Sequence, residues 1–160
     1  VKGKFSGING TLVLNEADRT ASKIEASIPV NTLTTGDDQR DGHLKSPDFF
    51  DMEKFPTIAF KSLSVRLTGP GEHEVTGELS IRGVTKVVTL AVEGPSAPAK
   101  DPWGNTRIGL SATGKINRKD FGLTWNVALE AGGVMVGDEV KISIEVELVK
   151  QTAPVAPVAA

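Results

Sequence analysis

Apolar and polar residues alternate along most of this 160-residue chain. The clearest case is the segment 139–149, EVKISIEVELV, in which every second residue from Val140 to Leu148 is apolar and the residues between them are Lys, Ser or Glu. Because the side chains of a β-strand point alternately to its two faces, this pattern predicts a strand with one buried and one solvated face. The same alternation predicts strands over KIEASIPVNTL (23–33), TIAFKSLSVRL (57–67), EVTGELSI (74–81), VVTLAVE (87–93), RIGLSATGKI (107–116) and TWNVALE (124–130).

Two irregularities in this pattern predict bends in the sheet. In 57–67 the alternation changes phase, from Ile58 and Phe60 to Leu63, Val65 and Leu67, which predicts a β-bulge near residues 61–62. Glycine inside a strand weakens it unless the strand must bend sharply, and such glycines are Gly10, Gly77, Gly109 and Gly114. Seven or eight antiparallel strands fit a sandwich or a barrel, and the repeated bends favour the barrel.

Helix is predicted in one place, between the strands at 23–33 and 57–67. In SPDFFDMEKF (46–55), Ser46 is a suitable N-cap and Pro47 suits the first helical position. Asp48 and Asp51 would then lie near the positive end of the helix dipole. The preceding GDDQRDGHLK (36–45) is compatible with a further short turn of helix. We therefore expect an all-β fold with a short helical insertion.

The remaining segments carry turn residues. His73 follows a Gly-Pro-Gly turn and is predicted to be exposed, and the HEVTG that it opens lacks the second histidine of a zinc motif. Trp103 is predicted at an exposed hairpin tip. The letters DFG at 120–122 do not indicate a kinase, because the chain has no glycine-rich phosphate loop and no His-Arg-Asp motif. We expect a turn there, with Gly122 in an unusual backbone conformation and Phe121 packed inward.

Composition narrows the range of functions. The net charge is −2 and the Lys and Arg residues form no run, so no nucleic-acid partner is predicted. The chain has no cysteine, and no apolar run approaches the roughly 20 residues of a transmembrane helix. It begins at Val1 rather than Met, and we expect a trimmed start from which a leader was removed. We predict one domain over 1–149 and a disordered Pro- and Ala-rich tail over 150–160.

One segment, RDGHLKSPDFFDMEKFP (40–56), resembles nothing else in the chain. In a functional interpretation, Arg40 and Asp41 bind a polar head group or take part in acid–base chemistry with His43 as proton carrier. In a structural interpretation, Arg40 and Asp41 pair with each other or cap a helix, and His43 packs half-buried. The phenylalanines Phe49, Phe50 and Phe55 either plug one end of a barrel or form a lid over a cavity. Both pairs of alternatives stay open on the sequence alone.

Longer motifs carry a family resemblance. The chain resembles the YceI-like proteins, a bacterial polyisoprenoid-binding family with a lipocalin-like barrel, over nearly all of residues 1–149. The motifs are GKFSGINGTL (3–12), TGDDQRDGHLKSPDFFDMEKFPTIAFKS (35–62), GELSIRGVTKVVTL (77–90), NRKDFGLTW (117–125) and VGDEVKISIEVEL (136–148).

The resemblance implies an extended eight-stranded antiparallel barrel around a long apolar tunnel. Family members usually carry an opening strand before VKGKFSG, so either the first strand has been trimmed from this chain or it is supplied otherwise. The resemblance further implies a periplasmic or secreted location, a homodimer, and no cofactor apart from a bound isoprenoid or fatty lipid. It supplies no catalytic residues.

The predicted function is therefore binding of a long-chain apolar lipid (a polyisoprenoid, an isoprenoid quinone or a fatty-acid derivative) for storage, transport or sequestration. The alternative is a small lipid-processing hydrolase or isomerase that uses His43 and Asp41. Hydrophobicity places the tunnel wall at Ile28, Val30, Phe50, Phe60, Leu79, Ile81, Leu110 and Trp125. The head group or tunnel end is expected at Arg40, Asp41, His43 and Phe49.

Overall fold

A computed structural model describes residues 1–127 and 135–151 and shows a mostly β protein with one short helix. The α-helix is α1, Asp38–Lys45, and short 3-10 helices occupy Arg19–Ala21, Val30–Thr32 and Arg118–Phe121. The strands are β1 Asn9–Val13, β2 Lys23–Pro29, β3 Thr57–Gly69, β4 Glu72–Ile81, β5 Val84–Glu93, β6 Ala99–Lys100, β7 Thr106–Asn117 and β8 Glu139–Val149.

All eight strands belong to one antiparallel sheet. Strands β1 to β5 pair in chain order, β5 then pairs with β7, and β7 also pairs with β6 and, along its full length, with β8. Within the described ranges, β1 pairs with β2 alone and β8 with β7 alone. The predicted all-β class and antiparallel pairing are confirmed. The last strand, β8, ends at Val149, and the single domain over 1–149 stays a prediction. The predicted tail beyond residue 151 lies outside the described residues.

The membership of the sheet differs from the prediction although the number of strands is eight. The alternation in 124–130 predicted a strand, but residues 124–127 form none, and residues 128–130 lie outside the described part. β6 was not predicted, and β1 was anticipated only by the placement of Gly10 inside a strand, without bounds. They are too short, at five and two residues, for the alternation of apolar and polar positions to be visible.

The helix lies one segment earlier than the preferred prediction. Asp37 caps α1 by accepting a hydrogen bond from the Arg40 backbone N–H, and Ser46 ends the helix instead of starting one. Ser46 is extended, with φ −75° and ψ 171°, because the ring of Pro47 disfavours helical geometry in the preceding residue. Residues 47–54 consequently form successive turns, so the prediction of a helix over 46–55 was wrong and the weaker one over 36–45 was nearer.

The predicted bulge in the long third strand is confirmed. The register between β3 and β4 shifts between Ser62 and Ser64, which leaves Leu63 unpaired and 56% exposed. After the bulge Val65 faces the core as predicted, with 9% of its surface exposed. Leu67 was expected beside it but is 56% exposed, because it lies at a second register shift at the end of the strand.

The core consists of two apolar clusters that one phenylalanine connects. The first cluster is built around Val30, Phe49, Ile58, Leu79, Ile81, Phe121 and Leu123, and the second around Val65, Val75, Leu90 and Val92. The ring of Phe60 packs against both clusters. It lies over Gly77, where a methyl group would collide with the ring and with the Lys61 carbonyl. The predicted glycine in β4 thus provides space for the residue that joins the two halves of the core.

Three local predictions can be compared with the structure. Phe121 is buried, with 1% of its surface exposed, and Gly122 has φ 78°, so the predicted turn is confirmed. Trp103 is 79% exposed between β6 and β7, also as predicted. His73 was predicted to be exposed and is buried. It belongs to β4, where the alternation that buries Val75 also turns His73 inward.

Candidate functional site

All eight residues predicted to line a tunnel pack into the apolar core, five from strands of the sheet and three, Val30, Phe50 and Trp125, from segments outside it. Seven of them belong to the first core cluster or pack against it, together with Phe49: Ile28, Val30, Phe50, Phe60, Leu79, Ile81 and Trp125. Leu110, the eighth, packs against the second cluster instead. Because Phe60 contacts both clusters, the predicted wall residues form one apolar surface that runs the length of the core.

One wall of this interior is apolar but incompletely covered. The inner positions of β8 alternate with polar residues and lie opposite the inner positions of β7, as in the pairs Leu110–Val146 and Ala112–Ile144. All of these inner residues are only partly buried: Ile108, Leu110, Ala112 and Ile116 in β7, and Ile142, Ile144, Val146 and Leu148 in β8. The inner face of β4, in contrast, is buried along its length. The β7–β8 wall therefore retains apolar surface that a ligand could cover.

A small cavity of about 30 Å³ lies at the second-cluster end of the interior. Its polar side chains are Arg19, Ser22 and His73. The rest of its lining is mainly apolar: Leu12, Leu14, Ile24, Val65, Val75, Val92, Gly94, Pro95 and Leu110. We call this space the Arg19–His73 cavity. Sequence reasoning missed it, although extending the β4 alternation by one position would have turned His73 inward.

Arg40 and Asp41, which the sequence singled out, are both tied to Thr35. Asp41 is buried and accepts hydrogen bonds from the Thr35 backbone N–H, at 2.8 Å, and from its hydroxyl. Arg40 donates from Nε to Thr35 Oγ1 and from Nη2 to the Thr35 carbonyl, each at 2.8 Å. The two side chains therefore fasten the loop before α1, and they do so through a shared threonine rather than by pairing with each other.

The hydrogen bond from the Thr35 hydroxyl lowers the pKa of the Asp41 carboxyl below its ordinary value of 3.8. Burial acts in the opposite direction, because it disfavours the charged form, while the Thr35 backbone N–H and the nearby Lys45 lower the pKa further. Asp41 is thus held as a carboxylate that accepts hydrogen bonds from its own loop.

His43 lies in a different set of contacts. Its Nε2 is 2.9 Å from Asp48 Oδ2, and its ring packs edge-on against Trp125, with 4.5 Å between centroids, and against Phe49, with 5.1 Å. The side chain is 38% exposed, which is the half-buried position of the structural interpretation. His43 and Asp41 therefore have different partners, and the His43–Asp41 pair of the enzymatic alternative is not assembled.

The Trp125 end of the interior is held by a residue that the sequence did not reveal. Arg118 is 5% exposed and donates to four carbonyls: Nε to Gly137, Nη1 to Leu123 and Trp125, and Nη2 to Val136, over 2.6 to 3.2 Å. Asp138 lies 3.5 Å from Nη2 and neutralises part of the charge. Because its hydrogen-bond partners are main-chain atoms, no pairing of residue types along the sequence could have pointed to this role.

A wider recess of about 520 Å³ lies between the end of β5 and the middle of β7 and β8 and is lined by Gly109, Ser111, Glu145 and Glu147 among others. It is open to solvent, and none of the predicted site residues except Leu110 borders it. Over the described ranges, no group of three or more His, Asp or Glu side chains is placed to hold a metal ion. The same residues include no helix with the length and apolar character that crossing a membrane requires.

Comparisons with known proteins place this architecture in context. The family model for the YceI-like domain matches residues 1–148. A protein named YceI from Salmonella arizonae is 38% identical over 149 residues, which cover 93% of this chain and 74% of that protein. The crystal structure of a Campylobacter jejuni YceI protein has a TM-score of 0.79 and 30% identity, over 94% of this chain and 85% of the other.

A more distant structure shares the fold. It is described as a polyisoprenoid binding domain from Saccharophagus degradans implicated in plant cell wall breakdown. Its TM-score is 0.60 at 17% identity, and the match covers 91% of this chain and 83% of the other.

Proposed function

Because the chain belongs to the YceI-like family, we propose that it binds a long-chain apolar ligand along the inner face of its sheet. The observation that carries this proposal is the β7–β8 wall, whose inner residues are all apolar and none of which is fully buried. The ligand class is a polyisoprenoid, an isoprenoid quinone or a fatty-acid derivative, held for storage, transport or sequestration. The Saccharophagus domain, described as polyisoprenoid binding, supports an apolar ligand of this kind.

The energetics of such binding require no special chemistry. Each methylene transferred from water to an apolar surface contributes about 0.8 kcal/mol, so ten methylenes contribute about 8 kcal/mol before the cost of association. The β7–β8 wall alone extends over five opposed inner pairs, from Ile108–Leu148 to Ile116–Val140. Branched isoprenoid chains and straight fatty chains make the same type of contact with an apolar wall. In this proposal, the length and shape of the chain therefore select the ligand.

The aromatic residues beside α1 close one end of the ligand path in this proposal. His43, Phe49 and Trp125 pack against one another there, and Arg118 fixes the backbone that carries Trp125. Phe50 and Phe60 pack against the same cluster from other directions. Apart from the imidazole, the rings that pack together here are apolar, so we assign this end to the tail of the ligand or to its terminal group.

The enzymatic alternative has less support. A hydrolase or isomerase using His43 and Asp41 needs those side chains to act on one substrate together. Asp41 is instead hydrogen-bonded to Thr35, and His43 to Asp48. No observation in the described part of the chain favours catalysis over binding.

The test is native mass spectrometry of the purified protein, repeated after solvent extraction. The variant Ile144→Glu places a charge on the inner face of β8, and Ser143→Glu places the same charge on its exposed neighbour. We expect wild type and S143E to retain an added apolar mass, or to take up an added isoprenoid or fatty amide, and I144E to lose it. Far-ultraviolet circular dichroism checks that both variants are folded. Equal ligand retention by the two variants would contradict the assignment of the inner face.

Two further proposals follow from family membership. We propose that the protein works in the periplasm or outside the cell, and that it forms a homodimer. Fractionation of cells that express the full-length gene tests the location. Light scattering coupled to gel filtration tests the dimer, for which the expected mass is twice that of the 160-residue chain.

A further inference from the structure

We propose that the ligand chain enters and leaves the core sideways, through a gap in the wall between residues 84–90 of β5 and residues 114–117 of β7. We call this gap the β5–β7 slot. The inference rests on the proposed function, because it assigns a route to the ligand proposed above. It concerns the rates of uptake and release, which the class of ligand does not determine.

The first observation is the short pairing between β5 and β7. The two strands have 10 and 12 residues, but their register contains only the three pairs from Ala91–Thr113 to Glu93–Ser111. On the two sides of this junction, β5 pairs with β4 over its whole length and β7 with β8 from Arg107 to Asn117. Among the residues that the structure describes, the register contains no pair between 84–90 and 114–117. The wall is therefore interrupted at this one junction between long strands.

The second observation is an exposed lysine at an inner position. Lys86 lies opposite Leu79, which is 8% exposed, and alternates with Val84 and Val88, which both pack against the first core cluster. Lys86 is nevertheless exposed. A lysine among core residues is tolerated where its ammonium group reaches water. Because the β4 side is filled by Leu79, water reaches Lys86 from the side on which β7 does not pair with β5.

The slot has a boundary at each end. At one end the Leu90 side chain packs against Gly114, where an added Cβ would lie 2.6 Å from the leucine Cδ2. At the other end Arg82, in the turn between β4 and β5, donates from Nη1 to the Gly122 carbonyl at 3.0 Å. The strand between them, from Val84 to Leu90, extends over about 20 Å. A long chain can therefore pass through the slot over much of its length rather than end first.

The two ends of the core are more closed than this wall. At one end His43, Phe49 and Trp125 pack against one another. At the other end the Arg19–His73 cavity has a volume of about 30 Å³, which corresponds to roughly two water-sized groups. A long chain that entered through either end would have to displace these side chains.

Sideways entry requires a smaller rearrangement. Val88 on one side of the slot and Ile116 on the other are partly buried and pack against the first core cluster. Because β5 and β7 are not paired at these positions, no ladder pair has to break for the two side chains to move apart. Lys86 also keeps the slot accessible, since an inward lysine hinders pairing of an open strand edge with another chain.

The test places a bulky group in the slot. The chain has no cysteine, so Lys86→Cys and Thr85→Cys each introduce a single thiol. The two residues are adjacent and both exposed, but they lie on opposite faces of β5, which makes T85C the matched control. Each variant is modified to completion with N-phenylmaleimide, checked by mass, and its fold is checked by circular dichroism. Uptake of cis-parinaric acid is then followed by stopped-flow fluorescence.

We expect modified K86C to take up cis-parinaric acid about tenfold more slowly than wild type, and modified T85C to stay within about twofold of it. The amount bound at equilibrium should be the same for all three proteins, because the modification obstructs a route and not the binding surface. Equal uptake rates for the two modified variants would overturn the route. A lower amount bound by modified K86C at an unchanged rate would also overturn it, since Lys86 would then line the binding site itself.

A second variant loosens one boundary of the slot. Arg82→Met removes the hydrogen bond to Gly122, and we expect uptake and release both to become about threefold faster or more at an unchanged dissociation constant. Arg66→Met, which removes an exposed arginine paired with Glu74, is the control. Rates equal to those of R66M would contradict the role of Arg82. A wild type that takes up neither cis-parinaric acid nor, in competition, geranylgeraniol would instead contradict the proposed function on which this inference rests.

Discussion

Replacing Arg118 with methionine should destabilise the fold far more than replacing any exposed arginine. The guanidinium of Arg118 donates to the carbonyls of Leu123, Trp125, Val136 and Gly137, and the side chain is 5% exposed. Methionine keeps most of the apolar stem but leaves these carbonyls without their donor. At about 1 kcal/mol net for each hydrogen bond, four bonds correspond to about 4 kcal/mol. Water entering at the partly buried carbonyls would reduce this to about 3 kcal/mol.

The assay is urea unfolding followed by tryptophan fluorescence, because Trp125 lies on the segment that Arg118 holds. The loss should appear as a lower midpoint with an unchanged slope, and as a fall of about 10 °C in the melting temperature. Arg66→Met is the matched control. Arg66 is exposed and pairs with Glu74, so its loss should change stability by less than about 1 kcal/mol.

A third variant separates charge from geometry. Arg118→Lys keeps the positive charge, but a single ammonium cannot reach carbonyls that surround a planar guanidinium on several sides. We expect it to lose about half as much stability as R118M. An R118M midpoint equal to that of R66M would refute the view that main-chain hydrogen bonds from Arg118 hold this end of the core.

Three further predictions concern other parts of the chain. Asp41→Asn should lower the free energy of unfolding at pH 7, as measured by urea unfolding. The difference from wild type should shrink as the pH falls below about 4. The folded-state pKa of Asp41 lies below its unfolded value of 3.8, so the stabilising contribution of the carboxylate is lost as it protonates. Gly77→Ala should cost about 1–3 kcal/mol, since the methyl group meets the Phe60 ring, whereas Gly109→Ala, whose nearest neighbour would be 3.6 Å away, should not lower the unfolding midpoint. Trp103→Ala should leave the melting temperature within about 2 °C of wild type, because the side chain is 79% exposed; a larger fall would show that the hairpin tip packs against something in solution.

The sequence was most informative where one physical signal acted alone. Long strands such as β4 and β8 alternate without interruption, and the bulge in β3 is visible as a single change of phase. The helix before β3 was misplaced because Ser46 and Pro47 are good helix-starting residues by type. The steric effect of Pro47 on its predecessor decided the outcome, and it ended the helix there.

The site was harder to predict than the fold. Hydrophobicity grouped residues that do pack together in the core, because the face that is buried in a strand is the apolar one, whereas their role as a tunnel wall stays a prediction. The polar residues gave no such signal. Arg118 is recognised only by its carbonyl partners, and Arg19 lies in a segment without periodicity that reaches the cavity through the folding of β1 and β2. The segment 40–56 attracted attention by composition, yet its charged residues mostly hold their own loop.

The bonds that Arg118 makes also determine which positions of the Trp125 end are free to change during evolution or design. A main-chain carbonyl is present whatever the side chain is, so Arg118 holds Trp125, Val136 and Gly137 in place without specifying their identities. Substitutions there can alter the surface offered to a ligand while the anchoring of the loop is preserved. The attachment thus does not depend on the side chains that it holds, which makes this end a suitable place to test designed changes in the apolar lining.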